Sequence, residues 1–133
     1  MDRVRLSHTV IAALLAATFT ASSTATDLSG EWKGRWKSCQ TGHEGPLKAT
    51  FCRVNRCQYE VTFRGRFFKL LPFRYQVKLR IVSDNGHTIT LQGSEKLGKL
   101  LGVYCYSATA NRCTFHCDYS AKDDHGYFHL QRH

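Results

Sequence analysis

Several signatures of known chemistry are missing from this chain. It has no Gly-x-Ser-x-Gly elbow, no glycine-rich phosphate loop and no His-Glu-x-x-His. That removes the sequence grounds for an α/β-hydrolase, a P-loop nucleotidase or a zinc peptidase. The main apolar run, residues 10–17, falls well short of the roughly 20 residues a membrane-spanning helix needs. No helical period persists after residue 25, which argues against a helical domain. No linker, internal repeat or low-complexity tract divides the chain, so it holds one domain. No tryptophan lies between cysteines, since Trp32 and Trp36 precede all six, and an immunoglobulin-type sandwich would place one there. Acidic residues are few: 10 Asp and Glu against 19 Lys and Arg, a formal net charge of +9.

What is present begins with an address. Arg3 and Arg5, the apolar run 10–17 and the small residues Ser23 and Ala25 read as a secretory signal over residues 1–25. Its removal leaves residues 26–133 as a single domain with no transmembrane segment, secreted or periplasmic. Losing Arg3, Arg5 and Asp2 lowers the net charge only to +8. For an exported chain this excess points to anionic surfaces or polysaccharides rather than to nucleic acid. A domain this small is expected to be disulfide-stabilised. Cys39, Cys52, Cys57, Cys105, Cys113 and Cys117 are the candidates. Cys52 and Cys57 are expected opposite each other across a turn at Val54 and Asn55. Cys105 is expected opposite Cys117 about Asn111, with Cys113 as a competing partner. Cys39 and one other have no evident mate, and every connectivity stays open. Zinc is the weaker reading of Cys113, His116 and Cys117, because further ligands would come from scattered positions. No cofactor or metal is expected.

The polypeptide alternates with period two. Tyr59, Val61, Phe63, Gly65 and Phe67 share one face with Cys57, and Glu60, Thr62, Arg64 and Arg66 share the other. Phe73, Tyr75, Val77, Leu79 and Ile81 repeat the pattern against Arg74, Gln76, Lys78 and Arg80. One buried and one wet face is the mark of an antiparallel sheet. Strands are expected at about 30–38, 46–54, 56–68, 73–83, 87–95, 102–110, 112–120 and 126–132, with tight turns such as Asn85-Gly86 between them. The fold class is therefore all-β, an eight-stranded antiparallel up-and-down barrel, with a two-sheet β-sandwich as the alternative. Closure is favoured because it removes exposed strand edges.

Gly30-x-Trp32 opens the first strand, and Arg132 lies near the end of the last. On these residues the chain resembles the calycin superfamily: lipocalins, fatty-acid-binding proteins, avidins and the small barrel inhibitors of bacterial metalloproteases. The resemblance implies a structural role for Trp32 and Arg132, the basic side chain packing over the indole to close the barrel base. A second Gly34-x-Trp36 departs from the usual pattern and leaves the register open.

In a meander the connections alternate between the two ends. Tight turns then gather at a base, and the longer segments 39–45, 69–72, 96–102 and 121–126 gather at a mouth, where ligands commonly bind. The candidate mouth residues are His43, Lys69, Leu70, Leu71, Lys96, Lys99, Leu100, Leu101 and His125. Exposed, the leucines and lysines would suit an amphipathic anion; folded inward, the leucines would plug the mouth. The many interior rings favour a barrel that fills itself. His43 with Glu44, His116 with Asp118, and Asp123 and Asp124 with His125 each set a base near a carboxylate, but nothing in the spacing makes them converge on a cleft. The expected function is a non-enzymatic binding module for a small apolar or anionic amphipathic ligand at the mouth. The alternatives are an extracellular protein-binding module such as a protease inhibitor, and a basic envelope or matrix component bound to acidic polymer.

Overall fold

The computed structural model describes residues 26–67, 71–97 and 102–133, so the expected signal segment lies outside the described residues. Eight strands follow in order: β1 (Gly30–Ser38), β2 (Glu44–Asn55), β3 (Gln58–Phe67), β4 (Leu71–Asp84), β5 (Ile89–Lys96), β6 (Val103–Ala110), β7 (Thr114–Ser120) and β8 (His125–Arg132). Each is antiparallel to the next, and β8 returns to β1, so the sheet is a closed up-and-down barrel rather than a sandwich. The closing ladder runs from Trp32 opposite Arg132 to Ser38 opposite Gly126.

Alternation sorts the side chains as the sequence implies. Tyr59, Val61 and Phe63 of β3 and Val77 and Leu79 of β4 are buried. Gly65 and Gly93 lie in the same inward phase. A Cβ on Gly65 would strike the Phe73 ring, and one on Gly93 would strike the Lys78 carbonyl. Both glycines let the wall bend inward where a side chain would hold it off. At the base, Gly86 takes a φ of 86° in the β4–β5 turn, where Asn85 Oδ1 accepts from the amides of His87 and Thr88.

The cysteines depart from expectation. All six are free: Cys117 is buried and the other five are exposed. The cause is turn geometry. The β2–β3 turn falls at Arg56 and Cys57 instead of Val54 and Asn55, held by Asn55 Oδ1 accepting from Cys57 N at 2.8 Å. Cys52 therefore stands opposite Glu60, and Cys57 leaves the inward face for the exposed turn. In the β6–β7 hairpin, Asn111 Oδ1 accepts from the amides of both Cys113 and Thr114 and widens the turn. Cys105 then faces Ser120, Cys117 faces Ala108, and Cys113 sits in the turn itself. Cys105 points outward and Cys117 inward, so neither expected partner is opposite Cys105 on its own face. The domain is held by barrel closure and core packing.

The base is sealed by a segment that the strand pattern does not announce. Leu28 is fully buried, and its amide donates to the Tyr59 hydroxyl at 3.1 Å while its carbonyl accepts from Trp32 Nε1 at 2.9 Å. Thr26 anchors the segment to the far turn, donating through its amide and hydroxyl to the Asp84 carboxylate at 3.0 and 3.1 Å. Above this plug Trp32, Phe51 and Phe115 interlock edge to face or tilted, with centroids 5.0–6.4 Å apart. Arg132 closes the base from outside. Its guanidinium carbon sits 4.6 Å from the centroid of the Trp32 ring. Its three nitrogens donate to the carbonyls of Arg112, Ser29 and Asp27 at 2.7, 2.8 and 2.6 Å. The fork thus ties the last strand to the plug, the first strand's approach and the β6–β7 turn, a role Lys could not fill with one point charge.

Candidate functional site

The opposite half of the barrel is hollow. A cavity of about 510 Å³ opens between Thr41, Leu71, Leu97 and Asp123 at the end that carries the longer connections. Its walls are the inward rings of six strands. Trp36 comes from β1, Phe63 from β3, Phe73 and Tyr75 from β4, Tyr104 and Tyr106 from β6, Tyr119 from β7 and Phe128 from β8. Alternation alone puts these rings inside, where they pack both along the walls and across the barrel: Trp36 of β1 meets Phe73 of β4 at 6.0 Å, and Phe63 of β3 meets Phe128 of β8 at 5.1 Å. Phe73 stacks on Tyr75 with centroids 5.5 Å apart. Across the cavity Tyr104, Tyr119 and Phe128 form a continuous stack, at 5.9 and 5.1 Å. These contacts leave space toward the open end, so the aromatic-rich interior does not fill itself completely.

The polar groups cluster at one side of the opening. Asp124 is fixed at both carboxylate oxygens: Ser38 Oγ donates at 2.6 Å and the Tyr119 hydroxyl at 3.3 Å. Ser38 also accepts from the Thr41 amide at 3.1 Å, so one buried serine links the β1–β2 loop to the β7–β8 loop. Asp123 lies beside it in the lining, and among the described lining residues there is no Lys, Arg or His. Burial raises the phenols of Tyr104, Tyr106 and Tyr119 above the ordinary tyrosine value, and the Asp124 carboxylate adds to the rise at Tyr104 and Tyr119. All three therefore stay neutral hydroxyls at physiological pH.

Of the residues picked from sequence, Leu71 lines the opening and is 62% exposed, so it neither folds inward nor plugs the cavity. It belongs to β4, which starts two residues earlier than expected and brings Pro72 into the wall. Lys96 ends β5, exposed and outside the lining. His43 is half-buried in the β1–β2 loop, where its carbonyl accepts from the Ser38 amide at 2.8 Å. His125 is exposed at the start of β8. Neither histidine lines the cavity. Lys69, Leu70, Lys99, Leu100 and Leu101 lie outside the described residues. Reasoning from loops missed Trp36, Ser38, Tyr104, Tyr106, Tyr119 and Asp124. The inward phase of β1, β6 and β7 carried the signal for the rings; nothing in the sequence pairs Ser38 with Asp124.

The base–carboxylate neighbours do not meet at the cavity. Glu44 pairs with Arg35 at 3.7 Å on the outer wall. His116 contacts Asp118 at 3.2 Å and stacks on Tyr127, again outside. Among the described residues no group of His, Cys, Asp and Glu is placed to hold a metal ion.

No family model and no curated protein matches the chain. Among solved structures it is similar to a de novo designed fluorescence-activating β-barrel, with a TM-score of 0.52 and 16% identity over 78% of this chain and 91% of that one. At this identity the likeness is one of fold, the eight-stranded antiparallel barrel.

Proposed function

We propose that this protein is a secreted or periplasmic, calycin-like binding module that takes one small, largely apolar ligand into its mouth cavity and does not transform it. The observation that carries this reading is the cavity itself. Its volume of about 510 Å³ falls within the usual range for small-molecule sites. Apolar rings with a few polar groups gathered at one edge are the usual make-up of such a site. The Gly30-x-Trp32 and Arg132 closure supports the calycin comparison, and the reading of residues 1–25 as a signal supports export.

The test is equilibrium titration with the neutral fluorophore phenylnaphthylamine. Saturation at one probe per chain, unaffected by salt, supports the reading. Failure to bind overturns it.

A second reading has its own support on the outer wall. Strands β1–β4 present Lys33, Arg35, Lys48, Arg64, Arg74 and Arg80, among others, against Glu31, Glu44 and Glu60. Strands β5–β8 have no comparable charge. One cationic side suits an acidic polymer. Retention on heparin that disappears at high salt supports this role, which can coexist with a ligand inside.

A further inference from the structure

We infer that the cavity selects a ligand with a flat ring system and a single cationic head, an aryl-alkyl ammonium, with Asp123 and Asp124 as its counter-charge. The inference rests on the mouth being a ligand site and adds the sign of the charge. The chain as a whole is strongly basic, at +9, yet the described lining of the mouth cavity holds two carboxylates and no cation.

Two fields compete at the opening. The net positive charge attracts anions at long range, but at physiological ionic strength that attraction is screened over about 8 Å. A carboxylate set against apolar walls acts at contact and with less screening. The local charge therefore decides which ligand stays, although the global charge influences which arrives.

The geometry suits a cation in two further ways. Ser38 and Tyr119 both donate to Asp124, so its carboxylate is held in place as an acceptor and needs no rearrangement to receive an ammonium. The half-buried Tyr104, whose ring lines the cavity and stacks on that of Tyr119, feels the field of the same carboxylate, and aromatic rings attract cations. Phe73 and Tyr75 on the facing strand supply the apolar surface for the ring system. An anionic amphipath, which the sequence alone suggested from Lys69, Lys96 and Lys99, would have to bring its carboxylate beside Asp124; Lys96, the one of these lysines that is described, does not line the cavity.

The experiment compares three probes on one ring system with the full chain: naphthylethylamine, naphthylethanol and naphthylpropionate, each by calorimetric titration. The amine is expected to bind about tenfold more tightly than the alcohol and the propionate more weakly than either, with the amine's advantage reduced in 1 M salt, where screening acts over about 3 Å. D123N combined with D124N should bring amine and alcohol to equal affinity. D123N alone changes an exposed side chain, and it should lower the amine-to-alcohol ratio about threefold even if D124N disturbs the loop. Equal binding of amine and alcohol by the native chain, or tighter binding of the propionate, overturns the cationic preference and leaves the mouth reading standing. No binding by any of the three overturns both.

Discussion

The two halves of this barrel are built from the same kinds of residue and end in opposite states. The base has Trp32, Phe51, Tyr59 and Phe115, all at 1% exposure or less. The mouth has Trp36, Phe63, Phe73, Tyr75, Tyr104, Tyr106, Tyr119 and Phe128, and encloses about 510 Å³ of space. Ring count does not decide the outcome. At the base the rings meet edge to face across the axis, and the 26–29 segment enters from outside to cap them. At the mouth rings also meet across the barrel, Trp36 with Phe73 and Phe63 with Phe128, but among the described residues no segment caps them, and the Asp124–Ser38 contact only joins loops at the rim. A barrel of eight strands is just wide enough for either arrangement, so what the ends do determines which one results.

This contrast is broken most forcibly by removing one tryptophan from each half. W32A is expected to cost about 3–5 kcal/mol, the usual range for a large ring lost from a packed core. W36A, which removes a ring already bordering a void, should cost about 2 kcal/mol less, because the site has less packing to lose. Urea melts of the two variants provide the comparison, and equal midpoints would show that the halves are packed alike.

The next largest effect concerns the seal. R132A removes three charge-assisted bonds to carbonyls and the cation over Trp32. Discounted for the exposure of the side chain, the loss should be about 1–3 kcal/mol, and R132K should recover only part of it. A variant as stable as the native chain would mean that the plug holds without its strap.

Alkali sharpens the comparison from the mouth side. The Tyr106 phenol is raised by burial first and by neighbouring Cys117 and tyrosines after that. Its folded pKa lies above the unfolded value near 10, so its contribution to stability is complete below about pH 10 and is lost as pH rises toward the folded value. Native stability should therefore fall above pH 10, by at most about 1.4 kcal/mol per pH unit from this group, and Y106F should flatten that slope. Chemical denaturation at a series of alkaline pH values measures it, and an unchanged slope in Y106F would contradict the assignment.

The smallest effect is one of reactivity. Cys117 is buried and its thiol is pushed up to about 12, chiefly by burial and then by Asp118, whereas the other five thiols are exposed. A thiol-disulfide reagent should modify five cysteines in the native protein and the sixth only on unfolding. Fewer than five reactive thiols in the unreduced protein would show that some are bridged.

Much of this architecture was legible in the residue pattern. Period-two alternation located all eight strands, and the pairing of Trp32 with Arg132 follows from a meander whose ends must be neighbours. That the cysteines do not pair was not legible, because a register depends on which residues occupy a turn. Asn55 and Asn111 shift theirs by capping amides that strand alternation ignores. The site was half legible. Its location at the long-loop end follows from topology, but attention to loop leucines and lysines obscured the inward rings of β6 and β7. The contact of Ser38 with Asp124 spans 86 residues and left no local trace. Nor does the base plug alternate, so Thr26 and Leu28 gave no strand signal although they close the floor.

The chain contains two tryptophans, and one lies in each half. Their indole N–H resonances in a proton–nitrogen correlation spectrum therefore report the base and the mouth separately, and titration with naphthylethanol is the most direct measurement of an open mouth above a sealed base. The Trp36 signal should move progressively to saturation while the Trp32 signal stays in place. Movement of Trp32 alongside Trp36, or a Trp36 signal that does not respond at saturating probe, would contradict the account.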